Sequence, residues 1–184
     1  MKSYPPRSWL NPKLEARNSP VHGKGVFVIE AIKKGEVLDR WGGKVYTTKQ
    51  IENGESNETA CQIDDDLWMA DSPGVAPSDS DFFNHSCDPN TWMDDEATMS
   101  ARRDIEIGEE VTVDYALLVA HPGYVTVANC RCKSPLCRHH ITGDDWKLLE
   151  LQERYKGHFP PYYNDVLMDC VDENRQGTIA IYAV

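Results

Sequence analysis

Three cysteines crowd into one short segment, Cys130-Arg131-Cys132-Lys133-Ser134-Pro135-Leu136-Cys137. This spacing is typical of a zinc site, in which four ligands surround the ion as a tetrahedron. The segment supplies three thiolates, so the fourth ligand must come from elsewhere, with Cys61, Cys87 and Cys170 as candidates. The interleaved basic residues can offset the negative charge of such a site. The sequence therefore predicts one structural zinc ion, the plain alternative being a loop with three unpaired thiols.

A second segment, Asn84-His85-Ser86-Cys87-Asp88-Pro89-Asn90, sets an amide and an imidazole side by side. These groups offer several hydrogen bonds to a ligand, and Cys87 lies close enough to complete the zinc site. A nucleophilic pair of Cys87 and His85 would need a third, orienting group, which adjacency in the sequence does not supply. Further upstream, His22-Gly23-Lys24-Gly25 allows close approach of the backbone to a ligand, although most such glycine pairs are simply turns.

Short apolar runs separated by turns predict a mainly β fold with short helices. Gly25–Ile29, the turn Lys33–Glu36 and Val37-Leu38 suggest a hairpin, and Leu67–Ala70 suggests another strand. The period of two in 111–115 places Val111, Val113 and Tyr115 on one face of a strand.

One helix is expected, and it lies near the C-terminal end. It begins with Thr142 or Asp144 as N-cap, carries Leu148, Leu151 and Tyr155 at helical spacing, and ends before Pro160-Pro161. Beyond it, residues 177–182 suggest a terminal strand.

The charge distribution favours a basic partner. Residues 50–101 contain 13 acidic side chains and no Lys or Arg, within a chain of net charge −11. This stretch repels phosphates and attracts a basic protein or peptide, so direct nucleic-acid binding is not expected. A solvated acidic loop is the plain alternative.

The 184 residues suffice for one domain with appendages. No apolar run approaches the roughly 18 residues of a membrane helix, so no membrane association is expected. The first residues lack the apolar core of a signal peptide. We therefore expect an intracellular, reducing compartment, without distinguishing cytoplasm from nucleus.

Taken together, four motifs resemble those of SET-domain protein lysine methyltransferases that carry a post-SET zinc motif. They occur in the family's order over roughly residues 16–146: Gly23-Lys24-Gly25, Asn84 to Asn90, Gly108-Glu109-Glu110 through Asp114-Tyr115, and Cys130-x-Cys132-x4-Cys137. The resemblance implies a SET fold of several small β-sheets with a knot-like threading of the Asn-His segment beneath the chain that follows Tyr115. A post-SET zinc loop and a C-terminal helix would follow.

The same resemblance implies roles for individual residues. Cys87 would join Cys130, Cys132 and Cys137 on zinc, which leaves Cys61 and Cys170 as free thiols. Tyr115 would be the catalytic tyrosine that orients amine and methyl group, its plain alternative being a buried structural tyrosine. The residues expected at the cofactor S-adenosylmethionine are His22, Gly23 and Lys24 through their backbone, Asn84, His85, Trp41 and Trp146. Trp146 is equally expected as plain core.

The expected lysine channel is lined by Trp68, Phe82 and Leu117, although large apolar residues there are often simply packed. Three positions depart from the family pattern: Asp81 replaces arginine, Trp41 replaces the tyrosine of Tyr-x-Gly, and Leu117 replaces a common aromatic residue. With leucine at 117, we expect extra room for a methylated amine.

The implied organisation is an N-terminal arm (1–15), a SET domain (16–118), a post-SET zinc-binding region (126–146) and a C-terminal helix with extension (147–184).

The implied function is methyl transfer from S-adenosylmethionine to a lysine of a basic protein segment, such as a histone-like tail added as a strand at a sheet edge. Two alternatives are a catalytically silent, zinc-stapled module that binds basic tails, and a methyltransferase for a non-lysine acceptor.

Overall fold

A computed structural model describes residues 2–57 and 59–163. Cys170 and the predicted terminal strand at 177–182 lie outside these ranges. Within them the chain forms short strands joined by turns, with two short α-helices, α1 (Thr48–Glu52) and α2 (Leu149–Arg154). The strands are β1 (Trp9–Leu10), β2 (Leu14–Asn18), β3 (Lys24–Val28), β4 (Val37–Arg40), β5 (Lys44–Thr47), β6 (Cys61–Asp64), β7 (Leu67–Ala70), β8 (Asn84–His85), β9 (Thr91–Met93), β10 (Thr98–Ala101), β11 (Glu110–Val113), β12 (Val125–Val127) and β13 (Ile141–Thr142). Single 3-10 turns occur at Asp79–Phe82, Tyr115–Leu117 and Asp145–Lys147.

The strands form four small sheets, so the predicted fold class is confirmed. Their orders are β1-β4-β10-β9, β2-β3-β11-β8, β5-β7-β6 and β12-β13. Strand β3 is buried along most of its length because β2 and β11 flank it on both sides. Alternate residues of β11, Val111 and Val113, are fully buried and anchor this sheet in the core.

The pairing of β8 with β11 places the Asn-His segment beside the strand that precedes Tyr115. The two strands run parallel, with Asn84 beside Thr112 and His85 beside Val113. The backbone N–H of Tyr115 donates to His85 Nδ1 at 3.2 Å, so the start of the chain after β11 contacts β8. The knot-like threading itself stays a prediction.

Two local predictions were wrong. The expected hairpin of Gly25–Ile29 with Val37-Leu38 does not form, since β4 pairs with β1 and β10 instead. Tyr115 does not end the strand either: it begins a 3-10 turn capped by the Asp114 carboxylate, which accepts from the Ala116 N–H at 3.1 Å. The first outcome depends on strands distant in sequence, whereas the second involves a cap between neighbouring residues.

The C-terminal helix is shorter than the periodicity predicts. A 3-10 turn occupies Asp145–Lys147, and α2 starts only at Leu149. Leu151 and Tyr155 are fully buried as expected, whereas Leu148 is 42% exposed at the N-cap. In the described part of the chain, no helix is long and apolar enough to cross a bilayer.

Candidate active site and thiol cluster

Four thiols from two distant segments meet on one side of β8. The Sγ atoms of Cys87, Cys130, Cys132 and Cys137 all lie within 4.8 Å of one another, and those of Cys87 and Cys130 are 3.9 Å apart. A tetrahedral zinc ion with 2.3 Å bonds holds its sulfur ligands about 3.8 Å apart. The cluster therefore has the donor set and nearly the spacing of a structural zinc site.

The loop that carries three of these thiols has a constrained backbone. Lys133 (φ 58°) and His139 (φ 64°) are the non-glycine residues with left-handed backbone in the described ranges. This conformation costs about 1 kcal/mol per residue, and both positions lie next to cluster cysteines. A hydrogen bond of 2.7 Å from the Cys130 N–H to the His139 carbonyl closes the loop.

His85 connects this cluster with the end of β11. Its Nδ1 accepts from the Tyr115 backbone N–H, and its Nε2 lies 3.2 Å from Cys87 Sγ. Because Nδ1 accepts, the ring proton belongs on Nε2 and points at the sulfur. Burial lowers the pKa of His85 to about 4, so the imidazole is neutral at physiological pH. A neutral imidazole does not form the imidazolium-thiolate pair that a Cys87 nucleophile would need.

The carboxamide of Asn84 ties three segments together. Its Nδ2 lies 3.2 Å from the His22 carbonyl, 2.9 Å from the Lys24 carbonyl and 2.6 Å from Glu110 Oε1. A Cβ at Gly25 would lie only 2.0 Å from that same carboxylate oxygen, so a larger residue there would displace the Glu110 side chain from its contact with Asn84. Asn84 therefore holds the glycine-containing turn against β8 and β11.

Two cavities adjoin this assembly. The larger, about 510 Å³, is called the donor cavity below. The smaller, about 240 Å³, is called the acceptor cavity. The donor cavity is lined by Val21, His22, Asn84, His85, Tyr115 and residues 126–132. The acceptor cavity is lined by Ser8, Trp41, Gly42, 59–61, 69–71, 80–81, Phe83, Tyr115, Leu118, Val119, Tyr124 and Thr126.

Tyr115 lines both cavities and is held in a defined orientation. Its hydroxyl donates to the Phe83 carbonyl at 3.0 Å, and its ring lies 5.3 Å from the His85 ring. Burial raises the pKa of Tyr115 to about 12, so the phenol stays neutral at physiological pH. Thr126 also lines both cavities, so the neutral phenol of Tyr115 belongs to the wall that the two cavities share and can orient a group bound beside it.

The pairing of β8 with β11 and this junction agree with the sequence comparison, in which the profile described as "SET domain" matches residues 23–116. The chain belongs to the SET-domain family. Similar curated proteins include histone-lysine N-methyltransferase set1 of Dictyostelium discoideum, 28% identical over 144 residues. Another is the H3 lysine-9 specific KMT1 of Fusarium mangiferae, 29% identical over 165 residues. Each alignment covers 70% of this chain but only 9% and 48% of the respective relative.

Solved structures give the same fold for this SET domain. The methyltransferase domain of human histone-lysine N-methyltransferase SETMAR superposes with a TM-score of 0.57 at 20% identity, over 71% of this chain and 58% of that one. KRYPTONITE, solved in complex with mCHG DNA and SAH, superposes with a TM-score of 0.56 at 25% identity, over 71% of this chain and 29% of that one.

The SET domain brings together some of the predicted cofactor residues and separates others. His22, Asn84 and His85 line the donor cavity, and Gly23 and Lys24 continue the same turn. Trp41 instead lines the acceptor cavity. The Trp146 ring packs 5.2 Å from Tyr163 and against the core, outside the lining of the donor cavity.

The three residues expected in the lysine channel lie outside the lining of the acceptor cavity. Trp68 lines a neighbouring cavity beside α1, where its Nε1 donates to Thr48 Oγ1 at 3.0 Å. Phe82 lies under the Lys24 ammonium, and Leu117 is fully buried in the core. Their sequence neighbours Phe83 and Leu118 line the acceptor cavity instead. The single 3-10 turns at 79–82 and 115–117 decide which of two adjacent side chains faces the cavity.

Sequence reasoning missed the partners of Arg138. Its guanidinium donates to both oxygens of Asp114 at 2.7 Å, and its Nε donates to Asp145 at 2.8 Å. Its backbone N–H meets Cys87 Sγ at 3.3 Å. Arg138 therefore neutralises Asp114 rather than the thiolates. The sequence shows the charges of Arg138, Asp114 and Asp145, but only the fold shows that they form ion pairs.

Proposed function

We propose that this protein is a protein-lysine N-methyltransferase that transfers a methyl group from S-adenosylmethionine to the ε-amine of a lysine in a basic protein segment. The position of Tyr115 at the junction of the donor and acceptor cavities carries the proposal. A displacement at carbon needs the two reactants in line. Two cavities that meet at one oriented hydroxyl provide for this alignment.

The donor cavity suits S-adenosylmethionine in size and in its polar lining. Its volume of about 510 Å³ lies within the usual range of small-molecule sites. When bound, S-adenosylmethionine supplies an electrophilic methyl group on a sulfonium. We infer that the backbone of His22, Gly23 and Lys24 and the segment Asn84-His85 hold it there. The SAH complex of KRYPTONITE supports the same class of cofactor.

The acceptor cavity suits a lysine side chain. Trp41, Phe83 and Leu118 give it apolar walls that suit the methylene stem of a lysine. Asp71 and Asp81 also belong to the wall and attract the lysine ammonium to it. The phenol of Tyr115 donates its proton to the Phe83 carbonyl, so its oxygen can accept one hydrogen bond from an amine N–H and thereby fix the direction of the amine lone pair.

We infer that the four-thiol cluster holds one zinc ion and fixes the wall of the donor cavity, since Cys130 and Cys132 belong to both. Zinc in such a site stabilises the fold and takes no part in the chemistry. We expect the protein to work in a reducing compartment, because the thiols must stay unoxidised. The expectation against direct nucleic-acid binding stays a prediction.

The test is incubation of the zinc-loaded protein with labelled S-adenosylmethionine and a mixture of basic proteins, including histones. The parent should label lysine side chains, and Tyr115→Phe should label them at least about 100-fold more slowly while binding the cofactor equally well. Equal labelling by both proteins would remove Tyr115 from the reaction. Cofactor binding without any transfer would favour the silent module.

A further inference from the structure

One carboxylate of the core has no evident structural reason to be charged. Asp39, in the middle of β4, is 0% exposed. Its Oδ1 accepts from Ser80 Oγ at 2.9 Å, whereas its Oδ2 has no hydrogen-bond partner among the described residues. A buried, half-satisfied carboxylate destabilises a fold unless it is protonated or serves a purpose.

Ser80 connects this carboxylate with the acceptor cavity. Its side chain belongs to the cavity wall, next to Asp81 and near Cys61. Asp39 is thus separated from the cavity by a single hydroxyl, which donates to it and still has a free lone pair.

The remaining surroundings of Asp39 hold few charges. Its cross-strand neighbours, Leu10 in β1 and Met99 in β10, are apolar. The titratable groups that face it are Asp81 and Cys61. The next residue along β4, Arg40, is exposed and lies over the Trp9 ring.

We propose that Ser80 and Asp39 take up the proton that the acceptor lysine must lose before it can react. This inference rests on the proposed function. The lysine ammonium gives one proton to Ser80 Oγ while the Ser80 hydroxyl proton moves to Asp39 Oδ1. The ammonium becomes a neutral amine and the carboxylate becomes a carboxylic acid. Asp39 later returns the proton to water through the same hydroxyl. Asp39 acts through Ser80 and is therefore a positioning residue for the reaction.

Among the titratable groups in and behind the wall of the acceptor cavity, Asp39 is the one best suited to accept a proton through Ser80. Burial raises the pKa of Asp39 to about 7, against the lowering effect of Ser80, the Arg40 backbone and the Trp41 side chain as hydrogen-bond donors. A proton acceptor is most effective when its pKa lies near the working pH. Burial raises the pKa of both Tyr115 and Cys61 to about 12, so these groups keep their own protons. Asp81 already accepts from Thr59 Oγ1 at 2.8 Å and the Ser78 N–H at 2.6 Å.

The test is the pH dependence of kcat/KM for a lysine peptide, from pH 6 to pH 10, in the parent, Asp39→Asn and Ser80→Ala. In the parent, kcat/KM should rise with pH and become constant above about pH 7. At pH 7 both variants should be slower by about 100-fold, a typical contribution of general-base catalysis. Their rates should then rise roughly tenfold per pH unit toward the lysine pKa of about 10.4, so that the deficit closes at high pH. Ser72→Ala, at a serine outside the lining of the acceptor cavity, is the control and should follow the parent profile.

The outcomes separate the relay from the activity itself. A deficit of the same size at every pH would mean that Asp39 and Ser80 have only a structural role, and would overturn the relay. Parent-like profiles for both variants would overturn it as well. Absence of lysine methylation by the parent at all pH values, despite cofactor binding, would instead refute the proposed function on which the relay rests. If Asp39→Asn fails to fold, the profile of Ser80→Ala decides.

Discussion

The single side chain of Asn84 determines how the cofactor-side turn is placed. Its carboxamide reaches two carbonyls of the His22–Lys24 turn and the Glu110 carboxylate. Ser19 Oγ donates to the other Glu110 oxygen at 2.9 Å, so the turn is bound at both ends. Backbone groups of this turn can bind a ligand only if the turn is held in this position.

Asn84→Ala should weaken binding of S-adenosylhomocysteine about tenfold or more, because about 1.4 kcal/mol of hydrogen bonding corresponds to tenfold in affinity. Titration calorimetry measures this directly. Asn53→Ala, at the end of α1, is the matched control and should leave the affinity unchanged. Unaltered affinity in Asn84→Ala would contradict the role assigned to this amide.

Asp39 should make the stability of the protein depend on pH in a specific direction. Its folded-state pKa of about 7 lies above the ordinary value of 3.8. The folded state therefore binds more protons than the unfolded state between about pH 4 and pH 7, and the free energy of unfolding falls as pH rises through this window. Asp39→Asn should remove this fall and raise the free energy of unfolding at pH 8 by roughly 2–4 kcal/mol. Denaturant unfolding at pH 5 and pH 8 measures both; an unchanged pH dependence would contradict the burial of a titrating carboxyl.

The elements around the thiol cluster are too short to be stable by themselves. Strands β12 and β13 have three and two residues, and the loop between them contains both strained non-glycine positions. Isolated two-stranded pairs are marginally stable in water. A metal ion that joins Cys87 to the loop stabilises this region where the strands alone cannot.

Cys132→Ser should therefore lose the roughly one zinc ion per chain that the cluster holds. Metal analysis after mild chelation measures how much zinc each variant retains. Tryptophan fluorescence under the same conditions measures local unfolding. Cys61→Ser is the control, since Cys61 lies outside the cluster, and it should keep its zinc. Equal zinc content in the two variants would contradict the assigned ligand set.

The sequence predicts elements well where the signal is local and poorly where it depends on distant partners. Cysteine spacing predicted the three thiols of the loop, and the resemblance to the family predicted Cys87 as the fourth member of the cluster. The alternation at 111–113 predicted β11. The hairpin expected at Val37-Leu38 failed because β4 finds its partners in β1 and β10. Phe83 and Leu118 line the acceptor cavity where the sequence suggested Phe82 and Leu117, because the direction of a side chain near a single 3-10 turn depends on tertiary packing.

At the scale of the whole molecule, one buried ionic network joins the SET domain to the segments that follow it. Asp114, 0% exposed, pairs with Arg138 and accepts from the Tyr155 hydroxyl at 3.1 Å. Arg154 donates to the Cys87 carbonyl at 2.7 Å. The end of β11, the thiol loop and α2 are thereby fixed relative to one another.

Arg138→Met should destabilise the protein by about 3–5 kcal/mol, since removal of one partner leaves a buried charge uncompensated. Arg103→Met, which breaks only the exposed ion pair with Glu109, should change the stability by less than about 1 kcal/mol. Chemical denaturation followed by circular dichroism measures both. Similar values for the two variants would show that the network does not hold these segments together.

The central claim is that donor and acceptor reach Tyr115 from two different cavities. A crystal structure of the protein with S-adenosylhomocysteine and a lysine-containing basic peptide tests it most directly. We predict the cofactor product in the cavity beside His22 and Asn84, and the lysine amine in the cavity beside Trp41 and Phe83, within hydrogen-bond distance of the Tyr115 hydroxyl. A structure with both ligands in one cavity, or with the amine away from Tyr115, would contradict the account.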